Sequence, residues 1–227
     1  VTGAAASNGN ASGTYRGIAP EVNIIAVATD FNKPNWLQTV AESVDYIFKK
    51  ADSLGMPCVI NASVGTYSGS HDGKDIAARL IDLLIKQKSS RAFVCAAGNA
   101  GNLNFHIQHA PQNDTVFTWF ENEPAMFAGL GGVYFEIWSD TADFNHMEFA
   151  IGADKVLASN YEFRGRTSFN SVKNKVNQVT TDSIISLDGN HLAYINYYVE
   201  ENQGRYKIEV AISDPDSSQY LFRLESR

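Results

Sequence analysis

Apolar and polar positions follow two different rhythms along this chain, and the change comes near its middle. In the first half, Asn23-Ile-Ile-Ala-Val-Ala-Thr29 is an unbroken apolar run of the kind that a strand buried on both faces requires. Leu37, Val40, Ala41, Val44, Ile47, Phe48 and Ala51 then recur at three- and four-residue steps, which predicts an amphipathic helix with Pro34 in its first turn and Gly55 just past its end. Pro57-Cys-Val-Ile-Asn61 predicts a second buried strand, and residues 63–73 a loop rich in Gly and Ser. Ile76, Ala77, Leu80, Ile81, Leu84 and Ile85 predict a second helix, and Ala92-Phe-Val-Cys-Ala-Ala97 a third strand. Strand, helix, strand, helix, strand is the order of a parallel α/β core with right-handed crossovers.

The second half changes to short segments rich in Val, Ile, Tyr and Phe: residues 115–120, 132–138, 147–152, 178–187, 192–199, 206–212 and 219–224. Alternation is clearest in Tyr206-Lys-Ile-Glu-Val-Ala-Ile212, where Tyr206, Ile208, Val210 and Ile212 share one face. Asp188-Gly189-Asn190 and Asp214-Pro-Asp-Ser217 read as turns. Seven such strands predict an antiparallel, jelly-roll-like sandwich.

Composition sharpens this division. Residues 1–110 carry 9 Lys/Arg against 8 Asp/Glu and 8 aromatics, whereas residues 111–227 carry 9 against 17, with 18 aromatics. We therefore expect two domains, 1–110 and 111–227, with the boundary at Ala110-Pro111. The net charge of −7 repels phosphate backbones and sets nucleic acid aside as a partner. No apolar run approaches the roughly 18 residues that a membrane helix needs, and no charged and apolar leader opens the chain, so neither a span nor a signal peptide is expected within it. Cys58 and Cys95 both fall on predicted core strands and read as two buried thiols rather than a disulfide or a nucleophile.

Candidate chemistry lies where the second and third strands end, because ligands of parallel sheets bind outside the carboxyl ends of the strands. Asn61-Ala-Ser-Val-Gly-Thr-Tyr-Ser-Gly69 and Ala96-Ala-Gly-Asn-Ala-Gly101 leave from there, and their small residues let a ligand backbone approach closely. Together with Val1-Thr2-Gly3 and Gly17-Ile-Ala-Pro-Glu-Val-Asn23, in this order and at this spacing, the two segments closely resemble the subtilisin-like serine proteases, the peptidase S8 family, over residues 1 to about 105. The resemblance implies that Asn99 is the oxyanion-hole asparagine. It also implies that Ser63, Val64 and Gly65 pair with the substrate backbone and form one wall of the primary specificity pocket, with Ala97 and Gly98 as the other. Thr66 and Tyr67 stand where many members have Gly and Pro, so a narrower or more aromatic pocket rim is expected.

The same resemblance exposes departures. The family's Gly-Thr-Ser-x-Ala motif is absent from the 227 residues, and its histidine and aspartate would precede Val1. The expectation is an internal fragment of a subtilase that is inactive alone and contributes the substrate groove to a serine endopeptidase, with a peptide or protein as partner and with a secreted or cell-surface location by family resemblance. The aromatic second half is similar to the jelly-roll insertion of clostridial Csp-type subtilases, which implies contacts with a propeptide. The alternative is a pseudoprotease scaffold whose sandwich binds protein or glycan, with Trp119, Tyr134, Trp138, Tyr197 and Tyr198 as a platform. A nucleotide-binding α/β protein is a minor third reading. No metal or cofactor is expected: His106 and His109 lack completing ligands, and Asp214 and Asp216 are first of all a turn sequence, although calcium could use them. A partial sheet also exposes edges and apolar surface, so self-association is expected.

Overall fold

The computed structural model describes residues 1–11, 13–104, 106–108, 115–121, 132–213, 215–216 and 220–227. The chain divides into two compact units, Val1–Phe105 and His106–Arg227. The boundary expected at Ala110-Pro111 lies outside the described residues, as do His109, Asp214 and Ser217.

In the first unit the elements are α1 (Thr2–Ala6), α2 (Trp36–Ser53), β1 (Cys58–Ala62), α3 (Ile76–Lys86) and β2 (Arg91–Cys95). The helix predicted from three- and four-residue spacing is α2, and its buried positions are Ala41, Val44, Phe48 and Ala51. Pro34 stands before its cap Asn35 rather than inside the first turn, and Gly55 ends it with a φ of 68°. Asp75 caps α3 by accepting a hydrogen bond from the Ala78 amide at 2.9 Å. β1 and β2 pair in parallel, with Ile60 opposite Phe93 and Ala62 opposite Cys95. Val44, Phe48, Ile60 and Leu84 form the core of this unit with Ile81, Ile85 and Phe93 against them, so both helices cover one face of the ladder.

Three expectations for this unit need correction. Asn23–Thr29 is not a strand: a run that is apolar on both sides needs cover on both sides, and Ile24 and Val27 are 56% and 40% exposed. Cys95 is exposed rather than buried, because the face of β2 away from the helices is uncovered among the described residues, and Cys58 is only half-buried. Both are free thiols. The small-residue start also holds a short helix that the apolar pattern did not indicate. Gly17 packs against the backbone of α1, with the Ile18 and Ala19 amides donating to the carbonyls of Ala4 and Ala5, and a β-carbon at Gly17 would fall 2.6 Å from the Ala6 nitrogen.

The second unit is built from β3 (Val116–Glu121), β4 (Gly132–Asp140), α4 (Thr141–Phe144), β5 (Glu148–Val156), β6 (Tyr161–Arg166), β7 (Asn170–Ser171), β8 (Val179–Ser186), β9 (His191–Asn202), β10 (Arg205–Ser213) and β11 (Tyr220–Ser226). Where two stacked sheets were expected, hydrogen bonding runs through one antiparallel sheet in the order β3-β11-β5-β6-β8-β9-β10-β4, with β7 beside β5. The sheet curls on itself. β5 and β9 are three steps apart, about 14 Å in a flat sheet, yet the rings of Phe149 and Tyr197 meet at 5.0 Å. The terminal strands would be about 34 Å apart if flat, yet Phe120 of β3 and Phe135 of β4 meet at 4.9 Å. Register shifts at Ala153/Asp154 and at Ile184/Ile185 supply the local bending that such curling needs. Tyr206, Ile208, Val210 and Ile212 point together into the core, as their alternation predicts. The turn at Asp188-Gly189-Asn190 joins β8 to β9, with Gly189 at φ 82°.

The five aromatics considered as a platform do not share a face. Tyr197 is buried in the core and so points away from its neighbour Tyr198, while Trp119, next to the core residue Phe120, donates its indole N–H to Asp154 on the face away from the core. That correction follows from the strand period of two, which sends adjacent residues to opposite faces.

Candidate functional site

The parallel register of β1 and β2 decides where the two loops begin. Ala62 and Cys95 are the last paired residues, and the Ala96 amide continues the ladder by donating to the Ala62 carbonyl at 3.1 Å. Ser63 and Ala96 therefore leave side by side from the carboxyl end of the same strand pair, with Ala97 one residue further on. Ser63, Gly65, Ala97, Gly98 and Asn99 are exposed, and Val64 is half-buried. Each of these six residues was singled out by sequence, and all lie on the two adjacent segments.

Short polar contacts hold the loops in shape. Asn61 donates its side-chain amide to the Ser63 hydroxyl oxygen at 3.0 Å, and the Ser68 amide donates to Thr66 Oγ1 at 3.1 Å. A ring nitrogen of His71, Nε2, lies 2.8 Å from the Tyr67 carbonyl oxygen, with His71 in a left-handed conformation at φ 55°. The loops are tied together by Tyr67, whose hydroxyl oxygen accepts the Asn99 backbone N–H at 2.9 Å. Gly98 adopts φ 94°, a region that glycine enters without steric cost, and this turn sets the direction of Asn99. The Asn99 side-chain amide is exposed and has no hydrogen-bond partner among the described residues.

Sequence reasoning placed Tyr67 on a rim but missed that it bridges the loops. The signal available was a large aromatic amid small residues, opposite a glycine on the neighbouring loop.

Charge plays a structural part elsewhere in this unit. Asp52, at the end of α2, accepts hydrogen bonds from Lys88 at 2.8 Å and Arg91 at 2.6 Å, and these contacts hold its carboxyl below the usual carboxylate range. Burial pushes the Cys58 thiol up. Cys58 opens β1 and Arg91 opens β2, so this cluster sits at the amino end of the ladder, away from the loops. Among the described residues no three His, Cys, Asp or Glu side chains gather as a metal site, and no helix is long and apolar enough to cross a membrane.

Two small-residue loops thus leave one end of a parallel strand pair, and one of them presents an exposed carboxamide. The chain belongs to the subtilase family, whose model matches residues 1–122. Among solved structures it is similar to the Clostridium perfringens CspB protease, at 15% identity and a TM-score of 0.55, a likeness of fold. That likeness covers 100% of this chain and 45% of the other, so the chain spans less than half the length of that protease. No curated protein matches it.

Proposed function

We propose that this chain is the substrate-binding segment of a subtilisin-like serine endopeptidase, inactive by itself because it lacks the family's serine, histidine and aspartate motifs. In the complete protease Asn99 donates its carboxamide to the oxyanion of the tetrahedral intermediate. Ser63, Val64 and Gly65 pair with the substrate backbone, and Ala97 and Gly98 face them across the primary specificity pocket. The ladder of β1 and β2 with its helices belongs to a wider parallel α/β core, and the curled sheet is a jelly-roll-like insertion that contacts a propeptide. Acyl transfer of this type needs no cofactor. A secreted or cell-surface setting suits a protease of this family.

The observation that supports the reading is the register that ends at Ala62 and Cys95, because it brings both walls and the asparagine to one edge. The test uses the full-length protease that contains this chain. Replacing Asn99 by Ala should lower kcat by about 10²–10³, the loss established for removing this donor from a subtilisin, with KM nearly unchanged because the contact forms chiefly in the transition state. An effect confined to KM refutes the assignment. The 227 residues alone should release no product from a peptide substrate, and turnover blocked by a serine-directed inhibitor would contradict that.

Self-association is part of the same proposal. Val59 and Val94 are 72% and 55% exposed on the uncovered face of the ladder, a face that a second copy would cover. The 227-residue chain should sediment as an oligomer, and Val59→Lys with Val94→Lys should shift it to monomer. A wild-type chain that stays monomeric at high concentration rules this out.

A further inference from the structure

We infer that Tyr67 is a specificity-determining residue, a built-in stop that restricts the primary pocket to small side chains. This rests on the assignment of Ser63–Gly65 and Ala97–Gly98 as the pocket walls. Tyr67 belongs to the first loop, two residues past its wall, yet its phenol reaches across to the second. The hydroxyl oxygen is 2.9 Å from the Asn99 nitrogen. The same oxygen, Cε1 and Cζ lie 3.1, 3.2 and 3.5 Å from where a β-carbon on Gly98 would stand. The phenol therefore rests on the bare face of Gly98 and occupies the space that a large substrate side chain would take between the walls.

Contacts at the ring and at its backbone keep it there. The Asn99 N–H holds its tip, and the His71 ring nitrogen 2.8 Å from the Tyr67 carbonyl oxygen holds its backbone. Loop and ring are thus fixed from both ends, and a substrate must displace the hydrogen bond to Asn99 before it can insert a bulky group. Glycine, alanine and serine side chains need no displacement. The substrate class that follows is a peptide with a small residue on the acyl side of the scissile bond.

The experiment compares two peptide substrates, identical but for Ala or Phe at that position, on the full-length protease and on Tyr67→Gly, Tyr67→Ser and Tyr67→Phe. The wild type should favour Ala in kcat/KM. Tyr67→Gly and Tyr67→Ser should shift the Phe:Ala ratio toward Phe by about 10- to 200-fold, the range that pocket volume commands. Tyr67→Phe keeps the ring and should keep the wild-type ratio, while kcat falls about 2- to 10-fold as one hydrogen bond positioning Asn99 is lost. Calorimetric affinities for the matching carboxylate products read the same pocket whether or not the protein turns over, and should shift in the same direction. An unchanged Phe:Ala ratio in both small variants overturns the inference even when Asn99→Ala behaves as expected. A normal kcat in Asn99→Ala overturns the site assignment instead, whatever the ratio does.

Discussion

Removing the carboxylate of Asp154 tests how the curled sheet is held outside its apolar core. Asp154 is fully buried at 0% exposure. One of its oxygens, Oδ2, accepts from Trp119 Nε1 of β3 at 2.5 Å and from Arg223 Nε and Nη2 of β11 at 2.9 and 2.5 Å. Asp154→Ala would leave an indole N–H and a largely buried guanidinium without that acceptor. Breaking a buried pair by deleting one partner costs about 3–5 kcal/mol. Arg223 retains partial compensation, because Glu225 lies 3.5 Å from it and the Phe117 ring 4.4 Å beneath it, which places the expected loss near 3 kcal/mol. For a unit of this size that is roughly 10–15 °C in Tm. Urea unfolding of the whole chain, followed by circular dichroism, measures it. Arg223→Met should cost a similar amount, whereas Asp154→Ala with Arg223→Met should cost less than the sum of the singles by about 1–3 kcal/mol. The loss should also persist in 1 M salt, since a buried pair is poorly screened. Single variants within 0.5 kcal/mol of wild type, or a loss that vanishes in salt, would refute the reasoning.

Three further outcomes are expected. Asp52 titrates below its ordinary 3.8 in the folded chain, so its contribution is complete above that pH and is lost as pH falls from 3.8 through the lower folded value; melting curves between pH 2 and 5 should show this component in wild type and not in Asp52→Asn. Labelling with an aromatic disulfide should modify Cys95 in a fast phase and Cys58 slowly, because one is exposed and the other is half-buried with a raised thiol pKa, and Cys95→Ser should remove the fast phase. A β-carbon at Gly165 would sit 2.0 Å from the Ile185 carbonyl oxygen, so Gly165→Ala should force β6 and β8 apart and cost about 1–3 kcal/mol or more in urea unfolding; a neutral result would refute the close approach.

How far these features were legible in the sequence depends on whether neighbours or distant partners determine them. Tyr206, Ile208, Val210 and Ile212 declare their strand by alternation alone, and Val44, Phe48 and Ala51 their helix by spacing, because the period is local. Residues 23–29 failed for the opposite reason: an apolar run carries no period, and only packing on both sides makes it a strand. β6, Tyr161–Arg166, was missed because Glu162, Arg164 and Arg166 break up its apolar content, while the charges Arg166 and Glu225 that pair across the sheet at 2.6 Å are invisible until the strands meet. Asn99, Ser63 and Gly98 were singled out through their motifs. The bridge from Tyr67 was not, because three loop residues separate it from Ser63 and no pattern states which way such a loop closes.

The geometry of the two loops is set by side chains that never approach them. Ile60 faces Phe93 in the ladder, and both lie under the helices with Val44, Phe48 and Leu84. A slip of one residue in the pairing would carry Phe93 to the uncovered face and put Val94 or Ala92 beside Ile60, trading the burial of an aromatic ring for that of a smaller group. The same slip would move Ala96 by about 3.3 Å along Ser63 and separate Asn99 from Tyr67. One register thus satisfies both the core and the contact between the loops, and the core enforces it. Because this enforcement needs only apolar volume at Ile60 and Phe93, together with small residues where the strands end, the backbone arrangement tolerates wide change elsewhere. A fold shared at 15% identity is what such a division of labour permits.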